Sequence, residues 1–144
     1  MLTAESLQKG ASEEADFVVS ADKTANYFSE AIDEKYAEVL GTPFLIADME
    51  RVCANLMKPL LSEDEVSVGA HINIRHVAST GVGATYSIKA IFEGSRFGLY
   101  TFDVEAHDGV GVIGKGQIVR AIGNHHDIVE RANQAINQLI KEGE

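Results

Sequence analysis

One cysteine, two prolines and no tryptophan stand in a chain of 144 residues. The lone cysteine, Cys53, excludes an internal disulfide and fits a reducing compartment. Positive charge is also scarce: 12 Lys and Arg against 22 Asp and Glu give a formal net charge of −10. General nucleic-acid binding needs cations against phosphates, so this balance argues against it, and against anionic membrane surfaces as well. Any anionic ligand has to be held by local cations or backbone amides, against the field of the whole chain. No hydrophobic run approaches the roughly 18 residues of a membrane span. The opening MLTAESLQKGASEEADF lacks the basic start and apolar stretch of a secretory signal. The expectation is therefore a soluble, cytoplasmic protein. No internal repeat or low-complexity linker divides the chain, and 45% hydrophobic residues are ample for a core. One domain spanning residues 1–144 is expected.

What is present reads as an ordered series of elements. Residues 1–13 are polar and form a loose lead-in. Ala15 to Ser20 reads as a first strand. Asp22 to Glu38, with Tyr27, Phe28, Ile32 and Tyr36 at spacings near four, reads as short helical turns forming a flap. Thr42-Pro43 opens a helix, with Thr as a favoured N-cap and Pro as a favoured first helical residue. The helix should end near Pro59. At about 100° per residue, Asp48, Arg51, Asn55 and Lys58 fall on a polar stripe. Leu45, Ile46, Met49, Val52, Cys53, Leu56 and Met57 fall opposite.

Four strand-like runs follow. Glu65 to Ala78 alternates, with Val66, Val68, Ala70, Ile72 and Ile74 on one face and Ser67, Gly69, His71, Asn73 and Arg75 on the other. Gly83 to Glu93 is the next, closed by a Gly94-Ser95 turn. Arg96 to His107 is the third, joined through an Asp108-Gly109 hairpin to Val110 to Ile122. Asn124, or His125-His126-Asp127, then caps a helix running to about Lys141. One apolar helix against five antiparallel strands is an α+β plan, and a sheet wrapped round a central helix is the hot-dog fold. Such a sheet leaves an edge open, which a second copy would close as a homodimer.

Several polar residues interrupt this pattern. Glu50 sits at the rim of the apolar helix face, where a carboxylate is costly unless it is paired, reaches water or is used. His76 continues the Val66–Ile74 phase and should point towards the core. It is either a satisfied core histidine or, if Glu50 faces it, half of a general-base pair. His71, in the opposite phase, faces solvent or an interface. Thr42 has an ordinary role as N-cap. Its hydroxyl nevertheless lies at a helix N-terminus, where amides and dipole favour developing negative charge. A hydroxyl there, a carboxylate two turns on and a histidine from the adjoining strand could form an acyl-transfer site. Arg120 is a cation on an apolar strand face, suited to neutralising Glu50, holding an anionic substrate group or snorkelling to the surface.

Other candidates carry less. Cys53 on the apolar stripe reads as packing, and His125-His126 as a solvated helix cap. No spacing of Cys, His and acids resembles a zinc site. DGVGVIGKG reads as hairpin and strand, with no helix following to make it a phosphate cradle.

Three segments, GTPFLIADMERVCANLMKPLL, SVGAHINIRHVAST and FDVEAHDGVGVIGKGQIVRAI, resemble the fluoroacetyl-CoA thioesterase family of hot-dog proteins. The similarity runs from about Asp16 to about Asn137. It is most specific in the T-P-F…M-E helix, the H-V-A strand end and the A-H-D-G hairpin. The resemblance implies a homodimer, with a dimer of dimers as its further assembly, hydrolysing acyl-CoA thioesters with no cofactor beyond the coenzyme A of the substrate. By motif, the family's catalytic Thr, Glu and His fall on Thr42, Glu50 and His76. Its substrate-contacting Gly and Arg fall on Gly69 and Arg120. Tyr36 stands where the fluoroacetate-specific member has a flap Phe that shields the acyl group. A phenol there makes the acyl pocket more polar, which counts against fluoroacetyl-CoA as the specific substrate. Segments typical of hot-dog dehydratases and hydratases are missing. Two other readings stand beside hydrolysis: a non-catalytic module binding acyl-CoA or a small acid, and a hydratase or isomerase of CoA esters.

Overall fold

Alternation and helical periodicity resolve into five strands and two helices among residues 7–143, which the computed structural model describes. The first six residues of the polar lead-in lie outside the described residues. The order is β1 (Ser12–Val18), two 3-10 turns (Ala21–Lys23 and Ala25–Phe28), α1 (Thr42–Met57), β2 (Glu65–His76), β3 (Thr85–Arg96), β4 (Leu99–His107), β5 (Val112–Asn124) and α2 (His125–Glu142). The strands form one antiparallel sheet in the order β1-β3-β4-β5-β2. The centre, β3-β4-β5, is a meander, whereas β1 and β2 are the outer strands. This is the expected hot-dog arrangement of sheet and central helix. No helix of the described residues is long and apolar enough to cross a membrane.

The core lies between α1 and one sheet face. Leu45, Met49, Val52, Cys53 and Met57 of α1 are fully buried, against Tyr86, Ile88, Ala90 and Phe92 of β3 and Phe102, Val104 and Ala106 of β4. Every second residue from Tyr86 to Phe92 and from Phe102 to Ala106 is buried, which is the period of a half-buried strand. Ile46 and Leu56, expected on the apolar side of α1, are only partly buried. Cys53 is buried, as its place on the stripe predicts, and burial pushes its thiol up to about 12. It is an inert packing residue rather than a nucleophile.

Four readings of local structure are corrected. First, β1 begins at Ser12 and ends at Val18, earlier than expected, because it pairs with β3 from Ser12↔Ile91 to Val18↔Thr85. Second, Gly94-Ser95 is not the turn. Gly94, at φ 134°, follows a register shift after Phe92, and β3 continues to Arg96. The chain reverses at Phe97-Gly98, both at positive φ (54° and 78°), as a two-residue hairpin requires. Third, Asp48 does not lie on a solvated stripe. It is 3% exposed and bonded to Lys23 and Tyr86, partners far away in sequence. Fourth, Thr42 does not cap α1. The N-cap is Gly41, Thr42 is the first helical residue, and no side chain satisfies the cap. By contrast, Asn124 caps α2 as expected, accepting from the Asp127 amide at 3.0 Å. The Asp108 carboxylate accepts from the amides of Val110 and Gly111, fixing the β4-β5 hairpin, and those amides hold its pKa below the ordinary value.

β2 carries the irregularity that matters most. Gly69 pairs with Arg120 and His71 with Val119, so Ala70 is an extra, bulged residue. A bulge inverts the inside–outside phase. After it, Ile74 and His76 share the inner face, as expected. Before it, Ser67 and Gly69 turn inward in place of Val66 and Val68, and Val68 is 37% exposed.

Candidate active site

The hydroxyl of Thr42, released from capping, shares a hydrogen bond of 2.8 Å with Nδ1 of His76. The bond joins the first residue of α1 to the last residue of β2. The other ring nitrogen, Nε2, is buried and has no hydrogen-bond partner among the described residues. Burial lowers the pKa of His76 below its ordinary value, so the ring is neutral near pH 7. A neutral imidazole bonded to a hydroxyl can accept that hydroxyl's proton, and the α1 N-terminus stabilises negative charge forming beside it. A cavity of about 190 Å³ opens here, lined by Thr42, His76, Val77, Ala78 and Ser79. A larger groove of about 340 Å³ lies on the other sheet face, lined by Glu14, Lys89, Asp103 and Glu105 among others, and holds none of the candidate residues.

Glu50 forms a second group. Its Oε2 accepts from Nη1 of Arg120 at 3.1 Å. The Arg120 guanidinium is almost wholly buried and is bonded again to Ser67: Nη2 to the carbonyl at 2.8 Å, and Nε and Nη2 to Oγ at 3.2 and 3.1 Å. A buried guanidinium needs such partners, and the bulge in β2 is what turns Ser67 inward to supply them. Among the roles open to Arg120, neutralising Glu50 is therefore the one realised. Gly69 backs the same carboxylate: a Cβ there would lie 3.0 Å from Oε1 of Glu50. Only glycine leaves this space free.

The three polar residues thus do not converge within one chain. Thr42 and Glu50 are eight residues apart on α1, about 12 Å along the axis and about 80° round it. Among the described residues no hydrogen bond joins Glu50 to His76, so the condition for a general-base pair, Glu50 bonded to His76, is not met within the chain. Ser67 was missed by the sequence reading, because its role depends on a bulge that no composition signal marks. His71 is exposed, as its phase suggested.

The flap lies over the start of α1. Phe28 stacks on Phe44 (centroids 5.1 Å apart, planes 9° apart), Tyr27 meets Phe44 edge-on, and Tyr36 meets Phe28 edge-on at 6.4 Å. Phe44 projects about 200° round α1 from Thr42, but the flap's base is bonded to Gly41, the residue before Thr42, so the aromatic cap and the Thr42–His76 pair share the start of α1. Tyr36 is half exposed at its outer edge.

Comparison with known proteins identifies the family and the fold. Residues 19–126 match the FlK family, described as Fluoroacetyl-CoA-specific thioesterase. The chain is 32% identical over 130 residues to the fluoroacetyl-CoA thioesterase of Streptantibioticus cattleyicolor, covering 89% of this chain and 91% of that one. A solved structure of fluoroacetyl-CoA thioesterase superposes with a TM-score of 0.84 at 31% identity, over 88% of this chain and 96% of that one. A variant of that enzyme in complex with fluoroacetate and CoA gives 0.80 at 32% identity, over 84% and 98%. A thioesterase superfamily member from Thermus thermophilus shares the fold, with a TM-score of 0.82 at 22% identity over 96% and 98%. The chain belongs to the fluoroacetyl-CoA-specific thioesterase family of hot-dog proteins.

Proposed function

We propose that this protein hydrolyses a short-chain acyl-CoA thioester to the free acid and CoA, using Thr42, His76 and Glu50, with Gly69, Arg120 and Tyr36 contacting or bordering the substrate. The Thr42–His76 hydrogen bond at the N-terminus of α1 carries this reading. An oxygen nucleophile, the Thr42 hydroxyl or a water that it holds, attacks the thioester carbonyl carbon. Its proton passes to neutral His76. The carbonyl oxygen becomes an oxyanion facing the first amides of α1, where the helix dipole favours it. The C–S bond then breaks, and the imidazolium returns the proton to the departing thiolate. Where water attacked, the free acid is formed directly; where Thr42 attacked, a water then adds to the acyl-threonine ester, gives its proton to His76, and the C–O bond breaks to release the acid as the Thr42 oxygen is reprotonated.

Glu50 of the same chain does not reach this point, so its part is played between two copies. β2 is an outer strand with a free edge. Antiparallel pairing of two copies along that edge sets the Gly69 half of one β2 beside the His76 half of the other. The homodimer then brings one copy's Glu50–Arg120 pair towards the other copy's Thr42–His76 pair, with the CoA chain at the interface. The acyl group lies under Phe28, Phe44 and Tyr36. The Tyr36 hydroxyl makes that cap more polar than a phenyl ring would, which favours short acyl groups other than fluoroacetyl.

Free-thiol release from acetyl-, fluoroacetyl-, propionyl-, butyryl- and phenylacetyl-CoA tests the activity. One ester should stand out, and His76→Ala should lower its rate by about 10²–10⁴. Binding without release from any ester would identify a non-catalytic acyl-CoA module instead. Because the active imidazole is neutral and its pKa is lowered, kcat/KM should rise through a limb whose midpoint lies below 6.5 and be level at pH 7. A limb above pH 7 would remove His76 from the base role. Sedimentation showing only monomer in the active enzyme would exclude the two-copy site.

A further inference from the structure

We propose that Lys23 and Asp48 are positioning residues that seat the flap on α1 and so set the acyl selectivity of the site. The inference rests on the reading above, that the flap caps an acyl group beside Thr42.

The flap is closed at its base by backbone bonds. Thr24 bridges to Leu40, the Ala25 amide donates to the Val39 carbonyl at 2.8 Å, and the Gly41 amide donates to the Lys23 carbonyl at 2.8 Å. Gly41 immediately precedes Thr42. Lys23 is therefore bonded through its carbonyl to the residue that launches the helix. Its side chain runs the other way, into the core. The ammonium lies 2.9 Å from Oδ2 of Asp48 and over the rings of Phe17 and Tyr86, at 5.1 and 5.9 Å from their centroids. The hydroxyl of Tyr86 donates to the same carboxylate oxygen, and burial together with that bond raises the phenol's pKa. The flap's aromatic cap begins four residues after Lys23, at Tyr27.

Stability alone does not account for this arrangement. An apolar cluster of the same volume would hold the core at least as well as a buried ion pair. What the polar cluster adds is direction. An ammonium fixed by one carboxylate and two ring faces, on a residue whose carbonyl is fixed as well, places the first flap turn in one orientation. The rings of Tyr27 and Phe28 then land on Phe44.

The decisive variant replaces the whole cluster with apolar residues: Lys23→Met, Asp48→Leu and Tyr86→Phe together. Lys23→Met alone is the second variant, should the triple fail to fold. In either, KM for the preferred short acyl-CoA should rise about tenfold, the effect of a small misplacement. Longer acyl groups should be accepted better, and kcat should change little. Lys23→Arg, which keeps a cation against Asp48, should restore KM and selectivity. Hydrogen exchange at the Ala25 and Gly41 amides should quicken in the variants. Wild-type KM, acyl preference and exchange in a folded apolar variant would overturn the proposal. Should the wild type itself hydrolyse no ester, the site reading fails separately, and amide exchange still decides whether the cluster seats the flap.

Discussion

Two carboxylates stand two residues apart on α1 and meet opposite fates. Asp48 turns towards β1 and β3, where its side chain is 5% exposed and is sealed by Lys23 and Tyr86. Glu50 turns towards β5 and β2, where its side chain is 29% exposed, pairs with a buried Arg120 and borders the empty space of Gly69. Both are paired with a cation, so pairing alone does not distinguish them. The difference is what each leaves open. Asp48 spends its partnered oxygen on two donors inside the core. Glu50 keeps a face beside a glycine on an outer strand, which a substrate, a water or a second copy can reach.

Isosteric neutralisation should separate the two most clearly. Glu50→Gln should lower kcat/KM by about 10²–10⁴, the range for loss of an acid–base group, and should also cost stability, since the buried Arg120 keeps an acceptor but loses its counter-charge. Asp48→Asn should leave kcat nearly unchanged and act on KM through the flap, while removing about 3 kcal/mol of stability as Lys23 loses its counter-charge. Urea unfolding and steady-state kinetics on both variants check this. A Glu50 variant that unfolds early but retains its rate would invert the comparison. Gly69→Ala comes next: its methyl group would push Oε1 of Glu50 aside, and kcat/KM should fall about tenfold without loss of fold. Wild-type activity in Gly69→Ala would mean that the space beside Glu50 is not used.

The same contrast shows how far the residues alone could be read. Strands β3 and β4 were legible because period-two alternation needs no partner to be recognised. The start of α1 was legible from Pro43, the β4-β5 hairpin from Asp108-Gly109 and the α2 cap from Asn124. Thr42, Glu50 and His76 were legible as misfits, and His76 kept its inward phase because it lies beyond the bulge. The bulge at Ala70 was not legible. It exchanges Val66 and Val68 for Ser67 and Gly69 on the inner face, and no local residue preference demands it. Nor was the burial of Asp48, since helical periodicity assigns a face but not the neighbour lying on it. Its partners are 25 and 38 residues away. The Gly94-Ser95 turn was misread because glycine marks a bulge as readily as a turn, and the pairing of Arg96 with Leu99 decides between them.

The smallest expected effect probes how Arg120 is held. Ser67→Ala removes the Oγ acceptor, which lies at 3.1 and 3.2 Å from two guanidinium nitrogens, but leaves the stronger bond to the Ser67 carbonyl at 2.8 Å. The guanidinium then stays buried with one acceptor fewer, at a cost of about 1–2 kcal/mol. Its freedom to tilt passes to Glu50 through the 3.1 Å ion pair. Activity should therefore fall only a few-fold, less than for Gly69→Ala, while Asp48 and the flap on the other side of α1 are untouched. Amide exchange at Ala25 and Gly41 should stay as in the wild type. Quickened exchange there would mean that the two sides of the helix are mechanically coupled, and that the sealed and the open carboxylate are parts of one device.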